Sequence, residues 1–465
     1  MRKLTMLVAV AAVVLAAISP APAADESDFH IPFEKYKLPN GMRVVLSRDN
    51  AVPVIALYVI YDVGARSEEK GRTGFAHLFE HMMFEGSANV KKGEHFKYVQ
   101  SNGGVMNGST HPDYTDYFEQ LPSNKLGLAL WLESDRMRSL AITPENLKNQ
   151  QEAVKQEKRL SFDNQPYSTA IIESWPKLTF SNFQSSHSLI GSFDDLEAAS
   201  VDDVAKFFKT YYAPNNAVLV IAGDFETADA KKLIQQYFGN IPSQPQPQRP
   251  DLTEPARTEG KMETVKDQHA RVPGVIVGWP APKKHSPDWY ALGMLDAVLT
   301  GGESARLQLD LVKGRQSILQ YQANPGWPFA GFNDFKDPGD YAAFLLYKPN
   351  YRAEQIVDQV QQEIDKIASA GVPDAELARV KAVLRYAKAT NLQSSLGRAQ
   401  LLGQHELLDG KPEMVDQDFT DLFAVTGPQI QAVAKKYLTA ARRDVLVIQP
   451  APPAPPAAAP KGPAK

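Results

Sequence analysis

The feature that most constrains the fold is a proline- and glutamine-rich stretch near the middle of the chain. It runs from Pro242 to Pro250 and reads PSQPQPQRP, a composition that favours an extended, semi-rigid connector. On either side, runs rich in valine, isoleucine and tyrosine alternate with helical patterns in a partly repeated order. The chain is therefore expected to form two α+β domains of similar length, 30–241 and 261–450, joined by a linker over 242–260.

The beginning of the chain is typical of an export signal. Two basic residues are followed by an apolar run rich in alanine and valine, and Ala21-Pro22-Ala23 then supplies small residues for cleavage. We expect a secretory signal peptide over residues 1–24, cleaved after Ala23 or Ala24, and hence an exported, periplasmic protein. Because the apolar run is too short for a comfortable membrane span, no stable membrane insertion is expected, and an uncleaved anchor is the alternative.

Composition excludes several other classes of function. Of 465 residues, 43% are hydrophobic and 22% are charged, which is ordinary for globular domains, and the net charge of −4 gives no indication of a nucleic-acid partner. The chain has no cysteine, so a disulfide or thiolate site is excluded and any metal must be bound by histidine and carboxylate. The Ala/Pro-rich tail, 451–465, is expected to be disordered.

The sequence His77-Leu78-Phe79-Glu80-His81 is an H-x-x-E-H motif. On a helix, neighbouring apolar residues form one buried stripe, while His77 and His81 lie one turn apart on another face with Glu80 beside them. Two such imidazoles can bind one Zn²⁺, and an adjacent carboxylate can act on a water molecule there. Considered alone, the motif also fits two surface histidines on an amphipathic helix.

A second carboxylate stands out on another predicted helix. Thr143-Pro144-Glu145 is a strong helix start, and the helix is expected to run to about Leu160. Glu157 projects onto the same face as Leu147 and Val154. A carboxylate on an apolar face needs a partner, which can be a metal or, equally well, a salt bridge or the helix edge.

The motif lies within a longer stretch that resembles the pitrilysin family of inverzincin zinc metallopeptidases, which includes insulin-degrading enzyme and the mitochondrial processing peptidase. The resemblance covers most of the chain between Phe33 and Ile448 and is stronger in the first half. The residues that carry it are Val63-Gly64-Ala65-Arg66, Glu68, Thr73 to Ser87, Gly103-Gly104, Asn107, Thr110, Tyr117-Phe118, Tyr211 to Asn216 and Ala222-Gly223-Asp224.

The resemblance implies a zinc-dependent endopeptidase that hydrolyses unfolded peptides. His77, His81 and Glu157 would bind one Zn²⁺ per chain, and Glu80 would act as the general acid and base. The strand that carries Asn107 and Ser109 resembles the family's substrate-pairing strand; without the family context, an ordinary edge strand is the alternative. The chain departs from some relatives at Gln150, where they have a second glutamate.

The second half lacks this chemistry, because its corresponding helix, Tyr290 to Thr300, holds no histidine and no glutamate. Relatives hold the substrate backbone with an arginine and a tyrosine from this domain. Arg315 and Tyr321 are the candidates here, although their spacing is one residue short and the pattern is degenerate. Members of this length resemble half of a clam-shell chamber, so a homodimer, or a heterodimer with a related subunit that lacks the zinc motif, is expected.

Three alternatives compete with the metallopeptidase. The first is a non-catalytic peptide-binding subunit, which the intact motif and Glu157 disfavour. The second is an ordinary zincin starting at His405-Glu406, which is rejected because Asp409 stands where the second histidine belongs. The third is a structural zinc site, which would normally be closed by four ligands. Of the other histidines, His111 and His187 are predicted to lie in loops.

Overall fold

Two β-sheets with helices packed on them organise the protein. The computed structural model describes residues 30–326, 331–337 and 339–451. The predicted signal peptide and nearly all of the predicted tail therefore lie outside the described residues. The strands are β1 (Glu34–Lys37), β2 (Arg43–Arg48), β3 (Val54–Tyr61), β4 (Val105–Thr110), β5 (Thr115–Pro122), β6 (Ala217–Gly223), β7 (Met262–Asp267), β8 (Gly274–Pro280), β9 (Ile318–Pro325), β10 (Asp340–Tyr347) and β11 (Asp444–Pro450).

The two sheets repeat one topology. The first has the order β1-β2-β6-β3-β5-β4 and the second the order β7-β11-β8-β10-β9. Apart from the extra β1, the strands correspond one to one in chain order. In each sheet the first and last of the five shared strands pair in parallel, and the other neighbours are antiparallel. The prediction of an α+β fold built from two similar, mostly antiparallel domains is thus confirmed.

Helices connect the strands and cover the sheets. The α-helices are α1 (Phe75–Met82), α2 (Glu94–Ser101), α3 (Leu126–Ser139), α4 (Pro144–Glu157), α5 (Trp175–Thr179), α6 (Phe183–Ser186), α7 (Phe193–Ala198), α8 (Val201–Tyr211), α9 (Thr227–Phe238), α10 (Pro287–Thr300), α11 (Ala353–Ala370), α12 (Asp374–Leu392), α13 (Ser395–Leu408), α14 (Met414–Ala424) and α15 (Gly427–Tyr437). The segments Lys158–Asp163, which continues α4, Ala170–Ser174, which leads into α5, and Gln308–Gly314 are π-helical. Among the described residues, none of the helices combines the length and apolarity needed to cross a membrane.

Each sheet has its own apolar core on one face. In the first half, side chains of β3 and β6 pack with α1, α3 and α9, and in the second half β8 and β10 pack with α10, α11 and α15. Burying one large apolar side chain contributes about 1.5 to 3 kcal/mol, so these cores fix the helices that carry the candidate site.

The two halves cover each other's sheets. Helix α13 comes from the second half but packs on β3 and β6, where Gly403 lies directly against Tyr58. In the opposite direction, Tyr167 and Trp175 of the first half pack on the second sheet beside Ile276 and Phe344.

This exchange explains why the described residues from Ile31 onward form one compact unit rather than two separable bodies. The predicted linker, 242–260, contains no helix or strand. The predicted domain limits otherwise stay a prediction.

Candidate metal centre

The helix that carries the motif begins at a glycine and is capped from a distance. Gly74 precedes α1 with φ of 83°, and a Cβ atom there would lie 2.6 Å from the carbonyl oxygen of Ile190, so only glycine fits. The carboxylate of Glu68 accepts hydrogen bonds from the backbone N–H groups of Gly74 and Ala76, both at 2.8 Å. His187 in turn lies 3.0 Å from Glu68. These hydrogen bonds fix the start of α1, where a carboxylate near the helix N-terminus is stabilising.

The apolar stripe of α1 is buried as the motif predicted. Phe75, Leu78, Phe79 and Met82 are all buried in the first core. The opposite face carries the two histidines, and it is turned towards α4 because α1 and α4 pack together. Because His77 and His81 are one helical turn apart, their imidazole rings are neighbours, with centres 4.8 Å apart.

Glu157 is brought to these rings by the end of α4. The hydroxyl of Thr143 accepts a hydrogen bond from the Asn146 N–H at 3.1 Å, which is the predicted cap. The α-helix ends at Glu157, earlier than predicted, and continues as a turn of π-helix. At that junction the carboxylate oxygens lie 3.7 Å from Nε2 of His77 and 3.1 Å from Nε2 of His81.

These three side chains fit a metal ion in both geometry and charge. Their donor atoms all lie within 4.8 Å of one another, and atoms that ligate one zinc at 2.0–2.3 Å are separated by about 3 to 4 Å. Burial, with the neighbouring His81, lowers the pKa of His77 to about 4, so His77 is the neutral imidazole that metals bind. The hydrogen bond with His81 lowers the pKa of Glu157 and keeps it ionised. Two nitrogens and one carboxylate could hold Zn²⁺ with a coordination position left open.

Glu80 lies beside the three donors but makes a different contact. Its Oε2 accepts a hydrogen bond of 2.7 Å from the hydroxyl of Thr110, the last residue of β4. Burial raises the pKa of Glu80, although this hydrogen bond opposes the shift. A carboxyl group whose pKa is raised and whose position is fixed is suited to general acid–base chemistry. The strand expected to bind substrate therefore also positions the candidate base.

Gln150 contacts the ring nitrogen of His81 that does not face Glu157. Its Oε1 lies 3.2 Å from Nδ1 of His81, and its Nε2 donates to Glu85 at 2.7 Å. Since the amide oxygen only accepts, Nδ1 of His81 donates to it, and Nε2 is the nitrogen that faces Glu157. Glu85 is itself paired with Lys92. Gln150, which replaces the glutamate of some relatives, is thus a hydrogen-bond partner of His81, and the carboxylate of Glu85 lies on the other side of its amide group.

Asn107 and Ser109 both lie on β4, which is the edge of the first sheet among the described strands. Both side chains belong to exposed residues. The hydroxyl of Ser109 contacts Asp116 on the neighbouring strand and lies 3.1 Å from Nε2 of His111. What the edge offers to a partner strand is therefore mainly backbone.

Arg315 and Tyr321 are engaged inside the second half. Nε of Arg315 lies 3.0 Å from Oδ2 of Asp310, and its Nη1 donates to Gln362 at 2.9 Å. The hydroxyl of Tyr321, on β9, donates to the carbonyl of Thr300 at 3.3 Å. Both side chains have partners of their own, and their role in substrate binding stays a prediction.

Sequence reasoning missed the roles of Glu68, Glu85 and Thr110 in supporting the site. Each acts through a partner on another element, so no local spacing reveals it. The only signal was that all three residues belong to the stretches that carry the family resemblance. His111 and His187 do lie in loops, as predicted, and each pairs with a carboxylate: His111 with Asp334 at 3.2 Å and His187 with Glu68.

The sequence is similar to known zinc proteases. A family model described as Insulinase (Peptidase family M16) matches residues 43–192, and one described as Peptidase M16 inactive domain matches residues 198–384. The zinc protease PqqE of Helicobacter pylori is 27% identical over 412 residues, which cover 84% of this chain and 89% of that protein.

Solved structures give the same result for the fold. The crystal structure of a protease from Helicobacter pylori is similar with a TM-score of 0.84 and 25% identity, covering 90% of this chain and 100% of that chain. The periplasmic protease PqqL of Escherichia coli is similar with a TM-score of 0.70 and 18% identity, covering 92% of this chain but only 48% of that chain.

Proposed function

The chain belongs to peptidase family M16, the insulinase or pitrilysin family, and on that premise we propose that it is a zinc-dependent endopeptidase acting on unfolded peptides. The observation that carries the proposal is the convergence of His77, His81 and Glu157 beside Glu80. Zinc, when bound, polarises the scissile carbonyl and makes water a nucleophile near neutral pH. One zinc ion per chain is proposed at this active site, held by the three converging side chains.

The protein's own residues have distinct roles in this proposal. Glu80 takes the proton from the attacking water and later gives it to the leaving amine, which requires a carboxylate within hydrogen-bond reach of both. Thr110 holds Glu80 in place through its hydroxyl. Gln150 fixes the orientation and tautomer of His81, as supporting hydrogen bonds do at metal sites.

The substrate is proposed to bind as an added strand along β4. An exposed sheet edge offers backbone N–H and C=O groups that pair with any extended peptide, largely without regard to its side chains. Asn107 and Ser109 lie on that edge, and Thr110 at its end contacts the candidate base. This arrangement favours unfolded peptides, because a folded chain has no free strand of this length to donate.

A dimer is proposed as the working unit. The chain matches about half of the longer Escherichia coli protease, a periplasmic protein by its name, as expected if two such units form one chamber. Arg315 and Tyr321 already have partners, which favours a related subunit that brings its own substrate-holding residues. Export to the periplasm is proposed on the signal-peptide pattern. Size-exclusion mass and co-purification test the partner, and a stable, fully active homodimer would contradict it.

The test of the enzymatic proposal compares wild type with Glu80→Gln, both without the signal peptide. Cleavage of a mixed set of unfolded peptides and zinc content are measured in parallel. We expect the variant to keep its zinc and to lose activity by about 10³-fold, in the range for removal of a general base. Glu152→Gln, the same change at an exposed position of α4, is the matched control and should leave both readouts unchanged.

The second candidate is a non-catalytic peptide-binding subunit. It is favoured by the description of the family model over residues 198–384 as an inactive domain, and by the engaged Arg315. Wild type that binds zinc but cleaves nothing alone, and gains activity with a related subunit, would support a heterodimer. Wild type that neither binds zinc at His77 and His81 nor cleaves would leave the binding subunit as the better description.

A further inference from the structure

Four side chains in the second half form a second cluster of potential metal ligands. His285, His405, Asp409 and Asp418 come together from the loop after β8, the end of α13, the residue just after it, and α14. We call them the His285 cluster. Donor atoms of His285, His405 and Asp409 lie within 4.8 Å of one another. The segment rejected as an ordinary zincin motif therefore still brings His405 next to Asp409.

The carboxylate of Asp409 is placed between the two rings. Its Oδ1 lies 3.0 Å from Nε2 of His285, and its Oδ2 lies 2.8 Å from Nδ1 of His405. Ligand atoms about 2.0 to 2.2 Å from one metal are separated by about 3 to 4 Å, and the separations seen here lie at the lower end of that range. The first site, with separations of 3.1 and 3.7 Å, has similar spacing.

Asp418 occupies the position of an outer carboxylate. Its Oδ1 lies 3.1 Å from Nδ1 of His285, and its Oδ2 lies 3.4 Å from Nε2 of His405. Each ring therefore turns one nitrogen to Asp418 and the other to Asp409. Metal-bound histidines commonly donate their second N–H to a carboxylate, which fixes the tautomer and strengthens the ligand.

The cluster is held in place by its surroundings. The hydroxyl of Tyr290 donates to Asp418 at 2.6 Å, and the amide of Asn333 also donates to it. His405 and Asp418 are buried, whereas His285 and Asp409 reach solvent in part, so an ion could enter. His285 has φ of 60°, an unusual conformation for a residue other than glycine.

A third group of potential ligands already has a cation of its own and so has no need of a metal ion. His95, Glu119 and Glu133 are also within reach of one another, but Arg136 is buried between them and pairs with Glu133. A guanidinium already supplies the positive charge there. In the His285 cluster the neighbouring cations are lysines instead: Nζ of Lys284 lies 3.5 Å from Asp409, and Lys388 interacts electrostatically with Asp418.

We propose that the His285 cluster binds a second divalent cation of the zinc type, with His285, His405 and Asp409 as ligands and Asp418 as the carboxylate that orients both rings. Nitrogen and carboxylate donors in this number suit Zn²⁺ and similar ions. The ion would tie the loop after β8 to α13, the helix that covers the first sheet, and so would stabilise the packing of the two halves.

The competing explanation is an ion-pair network without metal. In that case the carboxylates of Asp409 and Asp418 outweigh burial and raise the pKa of His285 to about 9, so that a proton takes the place of the metal. Both explanations use the same contacts, and only metal binding separates them.

The experiment isolates the second site by removing the first. The full chain without its signal peptide is prepared as His77→Ala/His81→Ala, and Zn²⁺ binding is measured by equilibrium dialysis with metal analysis. We expect one ion per chain to remain bound in this double variant. Adding His285→Gln or Asp409→Asn should abolish that binding, and adding Asp418→Asn should weaken it by about 10- to 100-fold. His269→Gln, a change at an exposed histidine outside the cluster, is the matched control and should leave it intact.

Two further measurements keep the test decisive if a cluster variant fails to fold. Lys284→Met removes a competing positive charge and should tighten Zn²⁺ binding, whereas a pure ion-pair network predicts no zinc binding in any variant. Saturating Zn²⁺ should raise the melting temperature of the double variant. Absence of bound Zn²⁺ in the double variant would overturn the second site without bearing on the first, because the first-site ligands have been removed.

Discussion

The two halves of the molecule share five strands in one topology, but among the described residues only the first half carries a candidate active site. The first α-helix after the second shared strand is α1 in the first half and α10 in the second. Helix α1 buries one side and presents His77, Glu80 and His81 on the other. Helix α10 is buried on nearly all sides, and its own side chains Trp289 and Leu295 lie in the second core. Between its first and last turns, its acidic residue is Asp296.

The shared fold therefore determines where a site can form, and the local sequence determines whether the residues there can bind a metal or transfer a proton. A site needs a helix face that stays free of core packing, and α1 keeps one because it is short and faces α4. It also needs fixed outer partners, which here are Glu68 at the helix start, Gln150 behind His81 and Thr110 on Glu80. The second half has filled the corresponding space with apolar side chains, so it contributes structure.

The largest effect is expected from exchanging the partners behind His81. In Gln150→Glu/Glu85→Gln the carboxylate moves next to His81, while the new amide at position 85 still donates to it and still accepts from Lys92. A carboxylate partner strengthens an imidazole ligand, and such outer contacts change metal affinity by about 10- to 100-fold. Zinc competition with a chelator should show tighter binding in the double variant.

The single variants make this a matched test. Gln150→Glu alone places two carboxylates where an amide now donates to Glu85 over 2.7 Å, so it should weaken zinc binding or stability. Glu85→Gln alone keeps every contact of Gln150 and should change affinity little. Equal affinities for the double variant and wild type would show that Gln150 already does what a carboxylate would do.

A smaller effect is expected from Asp296, the acidic residue that α10 keeps in its interior. Burial raises the pKa of Asp296 from 3.8 to about 7, against hydrogen bonds from Thr300 and Tyr341. Between about pH 4 and pH 7 the folded chain therefore holds a proton that the unfolded chain has lost, and the free energy of unfolding falls as pH rises. Asp296→Asn removes this loss, so its stability relative to wild type should increase by about 1 to 2 kcal/mol from pH 5.5 to pH 7.

Urea unfolding at the two pH values measures this difference. Asp288→Asn is the control on the same helix, because Lys436 lowers the pKa of Asp288 and its protonation is complete only well below pH 5. The difference in the free energy of unfolding between Asp288→Asn and wild type should be the same at both pH values. Peptidase activity should respond to neither change, in contrast to changes on α1.

Much of the fold could be predicted because its signals are local. The sequence predicts helices over Thr227–Phe238 and Ala353–Ala370, and the structure has both with these bounds. It also predicts strands over Met42–Ser47 and Val54–Val63, which β2 and β3 match to within two residues. The motif spacing also placed His77 and His81 on one face, away from the core.

The features that escaped prediction depend on distant partners. Helix α13 was not predicted, because it is buried by the sheet of the other half and its apolar pattern follows that packing. Strand β9 was missed because its edge position leaves it polar, with no clear alternation. In the site, Glu157 was found by its face and by family resemblance, whereas the contact of Thr110 with Glu80 joins residues on separate elements and leaves no spacing to detect.

That last contact gives the smallest predicted effect and the finest test of the comparison. Thr110→Val keeps the size and β-branching of the side chain but removes the hydroxyl that donates to Glu80. One neutral-to-charged hydrogen bond contributes about 1 to 2 kcal/mol, so kcat should fall by about 10-fold. Because β4 keeps its backbone edge, KM should change little, and Thr110→Ser, which retains the donor, should recover most of kcat. If instead KM rises and serine does not rescue, Thr110 acts by shaping the edge strand, and Glu80 is held in place by its helix alone.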